Sequence, residues 1–146
     1  MPSAERTITI AAPIEKVFAF FTTAENDLQW REELVEATPE GPMGLNTIIR
    51  QQVSAPVIGQ VAADTQITAW DPPNGYAFKV IAGPVRPEGT ISFAPIGDNG
   101  DGGTAVTFKL AVSIRGPQKF VFTKPTQTSM NATVAALDKV KAILEG

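Results

Sequence analysis

The chain has 146 residues, of which 43% are hydrophobic and 18% are charged, a composition that suits one globular domain with a core of its own. Its net charge is -3 and its Lys and Arg residues are scattered, so we expect no nucleic-acid partner, because such a partner binds a basic patch. The chain has no Cys and no His, which excludes disulfides, thiol nucleophiles, Ser-His-Asp triads and imidazole metal sites. We expect no metal site and no cofactor.

The first ten residues, MPSAERTITI, carry Glu5 and Arg6 and then alternate like a strand. They lack the apolar core of a signal peptide, and no apolar run approaches the ~18 residues of a membrane span. We therefore expect a cytoplasmic protein without an integral membrane segment. The oligomeric state has no signature in the sequence.

The first predicted elements are a strand and two short helices. Residues 6–12 alternate between apolar and polar side chains, which predicts a strand. Pro13 suits the first position of a helix, and this helix is predicted to end near Thr22. A second short helix is predicted over residues 24–29, with Thr23 as its N-cap.

The first helix carries three phenylalanines over more of its circumference than one sheet contact needs. Phe18 and Phe21 belong to a stripe at helical spacing, whereas Phe20 lies well off that stripe. We interpret Phe20 as a second apolar contact, such as the mouth of a cavity. Plain core packing of all three rings is the alternative.

The segment from 34 to 115 reads as about six antiparallel strands divided by turn-forming residues. Residues 60–70 are predicted to form one strand with a shared inward face, made by Val61, Ala63, Thr65, Ile67 and Ala69. Residues 104–115 alternate most clearly between an apolar and a polar face, which is typical of a sheet covered on one side. The loop at 54–59, SAPVIG, is either a gate over a cavity or an ordinary connection.

After Gly116 the apolar period becomes helical. Met130, Val134 and Leu137 share one helical face, and several alanines add helix propensity. Pro125 either starts this helix or kinks a longer one. A sheet with one apolar face needs a cover, and this last helix is the one long helix that the pattern predicts.

At this point the sequence resembles a known superfamily. The stretch ITIAAPIEKVFAFFTTAENDLQW resembles the opening of the START-related helix-grip superfamily, SRPBCC, where a strand leads through Ala-Pro into a helix with a Val-Phe pair and then to a Trp. The matching residues here are Ala12, Pro13, Val17, Phe18 and Trp30. Residues 69–78, 89–110 and 136–145 look like later parts of the same fold. The chain is most similar to the bacterial polyketide cyclase/dehydrase and lipid-transport group.

The resemblance implies an α+β helix-grip fold over residues 1–146, as a single ligand-binding domain. In that fold a curved antiparallel sheet of about seven strands wraps around a long C-terminal helix, and two short helices follow strand 1. Because members bind hydrophobic molecules, the leading hypothesis is binding or transport of a small lipid-, polyketide- or isoprenoid-like ligand in an internal cavity. The alternatives are a polyketide cyclase- or dehydratase-like enzyme and a protein-interaction module, since fold alone does not choose among them.

The candidate ligand-binding residues are those that the inward faces of the sheet and helices would turn towards such a cavity. They are Phe21, Trp30, Arg50, Ile67, Tyr76, Phe78, Phe93, Phe108, Met130 and Val134. The apolar ones would serve equally in a filled core. Among the polar ones, Arg50 suits a ligand carboxylate or enolate, and the indole N–H of Trp30 suits a polar ligand tip.

No catalytic residue is assigned. Without His, proton transfer would fall to Tyr76, a lysine or a carboxylate, and a carboxylate in an apolar cavity would have a raised pKa. The carboxylates considered are Glu36, Asp64 and Asp71. Some cyclases of the superfamily place a His in the cavity, and this chain has none.

Overall fold

The computed structural model describes residues 2–55, 59–83, 85–97, 102–114, 116 and 118–146, without the side chains of residues 55 and 118–122. Within these residues the elements follow in the order β1 (Ser3–Ile10), α1 (Ile14–Phe21), a 3-10 helix (Ala24–Gln29), β2 (Leu34–Pro39), β3 (Ile48–Ala55), β4 (Gly59–Ala62), β5 (Thr65–Asp71), β6 (Gly75–Val80), β7 (Glu88–Pro95), β8 (Thr104–Ala111), α2 (Gln118–Ala135) and α3 (Leu137–Glu145).

The described strands form one antiparallel sheet. Seven of them follow the hydrogen-bonded order β1-β8-β7-β6-β5-β3-β2, and β4 pairs with β3 beside this path. The sheet curls into a half-barrel around the C-terminal helix, which confirms the predicted α+β helix-grip fold. The concave face of this half-barrel is where the apolar side chains of the strands meet the helices.

The stretch predicted as one strand over 60–70 is two strands, β4 and β5. They are separated by Ala63 and Asp64, which form a corner against β3. The N–H of Ala63 donates to the carbonyl of Gln51 at 2.9 Å, and the Asp64 carboxylate accepts from the N–H of Gln51 at 3.1 Å. Apolar and polar residues keep alternating across this corner, so the period of the sequence did not reveal it.

A bulge in β5 changes which side chain faces the core. The register between β5 and β6 shifts between Ile67 and Ala69. As a result Trp70 turns inward and its ring lies 5.4 Å from that of Phe18, whereas Ala69 is exposed. The prediction that Ala69 shares the inward face is wrong, because one extra residue in a strand inverts the alternation beyond it.

The N-terminal helices form close to where the sequence places them. Pro13 occupies the N-cap of α1 instead of its first turn. The helix ends where the hydroxyl of Thr22 donates to the carbonyl of Phe18 and that of Thr23 to Ala19, each at 2.8 Å. Thr23 stands at the N-cap of the 3-10 helix, but its hydroxyl bonds backward to α1 and does not cap that helix.

The predicted C-terminal helix is interrupted at Ala136, and Pro125 lies inside α2, so the helix is the longer of the two forms that the sequence allowed. Arg6 of β1 spans the interruption. Its guanidinium donates to the carbonyl of Ala135 at 2.9 Å and to the carboxylate of Asp138 at 2.7 Å. Because these contacts satisfy the end of α2, the two helices stay attached to the first strand.

Two groups of buried apolar residues hold the fold together. The larger one joins α1 to β7, β8 and the C-terminal helices, and the smaller one lies under β2, β3 and β5. Tyr76 and Phe78 pack against both groups. The space between the two groups contains the cavity described next.

Candidate functional site

A cavity of about 190 Å³ lies between the concave face of the sheet and α2, and it is partly open to solvent. One water molecule needs roughly 10–15 Å³ of such space, so the interior holds a void far larger than a few waters. Most of its walls are apolar, and several are aromatic. The half-barrel is therefore hollow, not packed side chain to side chain.

Seven of the ten predicted site residues line this cavity. They are Phe21, Trp30, Ile67, Tyr76, Phe78, Phe108 and Met130. The alternation of the strands and the helical spacing were sufficient to place six of these side chains inside, whereas Trp30 lies at the end of the 3-10 helix. Their contact with a ligand stays a prediction.

Two other predicted site residues, Phe93 and Val134, are buried but lie behind the lining of the cavity. Phe20 lies behind the lining as well. Phe93 is 4% exposed and packs its ring 5.4 Å from that of Phe21. Val134 belongs to the larger buried group. Phe20 packs edge-on against Phe21, with ring centres 5.9 Å apart. The interpretation of Phe20 as a cavity mouth is wrong, because Phe21 reaches the cavity and Phe20 supports it from behind.

Arg50 lies on the outer face of the sheet, and the prediction that it faces the cavity is wrong. Its side chain is 57% exposed and pairs with Glu40 at 2.7 Å and Asp64 at 2.6 Å. The register of β3 turns the other face inward, so Gln51 lines the cavity instead. Gln51 is 4% exposed and its amide oxygen accepts from the hydroxyl of Thr65 at 3.2 Å.

One side of the cavity is charged, and the sequence patterns did not predict it. Asp27, Arg31 and Glu33, hereafter the inner cluster, line the cavity together with Thr133 of α2. The Nε of Arg31 donates to Oε1 of Glu33 at 2.9 Å, and its Nη1 lies 3.8 Å from Oδ2 of Asp27. The side chains of Asp27, Arg31 and Glu33 are 14%, 22% and 24% exposed.

The 3-10 helix explains why Asp27 points inward. Such a helix has three residues per turn, so every third side chain lies on the same side. Ala24, Asp27 and Trp30 share that side, and all three line the cavity. The N–H of Leu34 then donates to the carbonyl of Arg31 at 3.2 Å, and this turn leads the chain into β2. A period of three, read over residues 24–30, is the signal that would have identified Asp27.

The indole of Trp30 is engaged within the protein. Its Nε1 donates to Oδ1 of Asp27 at 3.3 Å, so the prediction that this N–H is available to a ligand is wrong. The ring still forms part of the wall, 5.7 Å from Phe21 and 6.0 Å from Phe108. The hydroxyl of Tyr76 is likewise engaged, because it donates to the carbonyl of Phe21 at 3.3 Å.

Burial dominates the electrostatics of the inner cluster. Burial raises the pKa of Asp27 from 3.8 to about 6; the charge of Arg31 and the Trp30 indole oppose this rise, and the charge of Glu33 adds to it. Burial lowers the pKa of Arg31, but the charges of Glu33 and Asp27 outweigh it and the pKa is raised. Burial also raises the pKa of Tyr76 well above its usual value. The cavity thus holds a carboxyl group with a pKa of about 6, above the usual range of an aspartate.

The carboxylates considered for proton transfer lie elsewhere. Glu36 is exposed on β2, and Asp64 is engaged by Arg50 and Gln51. Asp71 is exposed and accepts from the side-chain amide of Asn74 at 3.4 Å.

The predicted loop at 54–59 includes residues 56–58, which lie outside the described residues. In the part of the chain that the structure describes, no helix is long and apolar enough to cross a membrane.

Solved structures share this fold at low sequence identity. A START superfamily protein from Mycobacterium smegmatis has a TM-score of 0.76 at 15% identity, over 98% of this chain and 97% of that one. TTHA0849 from Thermus thermophilus has a TM-score of 0.73 at 22% identity, over 97% of each chain. The di-domain ARO/CYC StfQ from the steffimycin biosynthetic pathway has a TM-score of 0.73 at 11% identity, over 98% of this chain and 50% of that one.

A comparison of the sequence with curated proteins finds no match. The family model described as polyketide cyclase / dehydrase and lipid transport matches residues 1–145, and this agrees with the hollow half-barrel and with the fold of the solved structures. The chain belongs to the polyketide cyclase/dehydrase and lipid transport family.

Proposed function

We propose that this protein binds or carries a small hydrophobic molecule inside the half-barrel. The observation that supports this function best is the cavity of about 190 Å³ with mostly apolar walls. Burial of apolar ligand surface contributes roughly 25 cal/mol per Å², less the free energy of ordering the ligand. The aromatic walls contact the apolar body of the ligand, and the inner cluster contacts its polar end.

The size of the cavity limits the part of the ligand that is enclosed. An apolar cavity of about 150 Å³ is sufficient to bind benzene. At about 190 Å³, the present cavity suits a one- or two-ring body or an equivalent length of hydrocarbon chain. A longer molecule extends through the opening to solvent.

Native mass spectrometry of freshly purified protein tests this proposal. Wild-type protein is expected to carry a co-purifying hydrophobic compound. Val53→Phe places a large ring at the cavity wall and is expected to lose that compound. The matched control is Val35→Phe, the same substitution at an exposed position of β2, which is expected to keep it. Ligand-free masses for all three proteins under gentle conditions would contradict a carrier.

A second function, enzymatic proton transfer, is favoured by one observation. Asp27 lies in the cavity beside Arg31, and its pKa is raised to about 6, which suits a general acid or base near neutral pH. We propose it as an alternative for cyclisation or dehydration of a polyketide-like chain. Asp27→Asn protein should then co-purify with the uncyclised or hydrated precursor. Identical compounds bound to wild type and Asp27→Asn would rule out this alternative.

A further inference from the structure

The inner cluster contains a gap that its own side chains do not close. The 3.8 Å between Nη1 of Arg31 and Oδ2 of Asp27 exceeds the roughly 2.7–3.2 Å of an N–H···O hydrogen bond. Among the described residues, Arg31 donates a side-chain hydrogen bond through Nε alone. Its terminal nitrogens therefore keep donors, and Asp27 Oδ2 keeps acceptor capacity, on the wall of the cavity.

Three other polar groups of the cavity wall do not compete for that gap. The indole N–H of Trp30 is directed to the other oxygen of Asp27, and the hydroxyl of Tyr76 donates to a backbone carbonyl. The hydroxyl of Thr133 lies 3.0 Å from the carbonyl of Ser129 and 3.5 Å from Glu33. The gap between Arg31 and Asp27 is thus a place where a ligand group gains both a donor and an acceptor.

The charge of the inner cluster restricts which group fits. Two carboxylates face one guanidinium, so the cluster has a net charge of about -1 when all three groups are ionised. A ligand carboxylate placed there adds a further negative charge in a region of low dielectric, where repulsion is strong. The net charge attracts a ligand ammonium group, but such a group only donates, so it would leave the donors of Arg31 unpaired and lie beside the positive charge of Arg31.

We propose that the buried end of the ligand is an uncharged hydroxyl group, of an alcohol or of a phenol, and this inference rests on the proposed function. Its oxygen accepts from Nη1 of Arg31 and its proton is donated to Oδ2 of Asp27. A hydroxyl is a small group that does both at once. The cavity consequently selects against a carboxylate on the same hydrocarbon body.

Four probes with one two-ring body test this selection: 2-naphthol, 2-naphthoate, 2-naphthylmethylamine and 2-methylnaphthalene. Their affinities are measured by calorimetry or by competition at pH 7.5. We expect 2-naphthol to bind about tenfold or more tightly than each of the others, since hydrogen bonds to charged groups are the stronger ones.

Variants assign the selection to the inner cluster. Asp27→Asn keeps an acceptor for Trp30 and removes one negative charge, so it should raise the affinity for 2-naphthoate about tenfold relative to 2-naphthol. Glu36→Gln makes the same change of charge on the exposed surface of β2 and should leave the ratio of these two affinities unchanged.

The outcomes separate the two levels of the proposal. Equal binding of 2-naphthol and 2-methylnaphthalene, or tightest binding of the carboxylate or the amine, would overturn hydroxyl selection and leave the hydrophobic site in place. A ratio of 2-naphthoate to 2-naphthol affinity that Asp27→Asn does not change would also overturn it. Failure of all four probes to bind to saturation would reject the hydrophobic site, and hydroxyl selection with it.

Discussion

Two arginines of this protein each lie between two carboxylates, one inside the cavity and one on the outer face of the sheet. Arg50, with Glu40 and Asp64, forms what we term the outer cluster, with ion pairs of 2.7 and 2.6 Å. In the inner cluster the corresponding distances from Arg31 are 2.9 Å to Glu33 and 3.8 Å to Asp27. The closer pairs are therefore the exposed ones.

The two clusters also differ in their surroundings. The hydrogen bonds that Arg50 donates to Asp64 and then to Glu40 raise the pKa of Arg50, and water screens these exposed charges. In the inner cluster burial is the largest effect on Asp27 and opposes its ionised form. A buried charged group that weakens the fold calls for a functional reason, whereas the outer cluster is explained by the corner that it holds between β4 and β5.

The largest expected effect comes from removing the inner cation. Arg31→Met leaves the carboxylates of Asp27 and Glu33 without their partner, and we expect the free energy of unfolding to fall by about 3 kcal/mol at pH 7.5. Urea denaturation measures this change. A loss no greater than that of Arg50→Met would break the distinction between the clusters.

The next effect is a gain in stability that depends on pH. Because the pKa of Asp27 is about 6 in the folded protein against 3.8 ordinarily, the folded state binds the proton more tightly than the unfolded state. The contribution of Asp27 to the free energy of unfolding therefore falls as pH rises from about 4 to about 6. Asp27→Asn should match wild type near pH 4 and exceed it by about 2–3 kcal/mol at pH 7.5.

Urea denaturation of both proteins across this pH range measures the difference. Glu36→Gln, on the exposed surface of β2, controls for the change in net charge. A difference between Asp27→Asn and wild type that stays constant from pH 4 to pH 7.5 would show that the charge of Asp27 is not disfavoured by burial.

The smallest effect is expected at the outer cluster. Arg50 is more than half exposed, so Arg50→Met should change stability less than either inner variant. It should leave the affinity for 2-naphthol within about twofold of wild type, because Arg50 lies on the outer face of the sheet and not among the residues that line the cavity. Calorimetric titration measures this affinity. A loss of binding would show that Arg50 contributes to the ligand site.

Strand β8 and the last helix were predictable because one periodicity governs each of them. Alternation in β8 places Val106, Phe108 and Leu110 on the buried face, and helical spacing places Met130 against the cavity. The same reasoning did not work for residues 46–53. Ile49 shares its face with Gln51, and Ile48 shares the other with Arg50, so the pattern left the inward face undecided.

The inner cluster was not predictable from strand or α-helix spacing. Asp27 owes its position to a 3-10 helix, whose period of three differs from both. Glu33 meets Thr133 only because α2 crosses the segment before β2, with 100 residues between the two positions. Such long-range contacts depend on the assembled fold, which no local pattern encodes.

The most direct test of the internal ligand site is an NMR titration of the labelled protein with 2-naphthol. Trp30, Met43 and Met130 line the cavity, whereas Leu28 and Leu45 are 45% and 58% exposed on the outside. We predict saturable shifts, with one common Kd, for the Trp30 indole N–H and the two methionine methyl groups, and no comparable shifts for the two leucines. Shifts confined to the leucines, with the three cavity signals unmoved, would contradict an internal site.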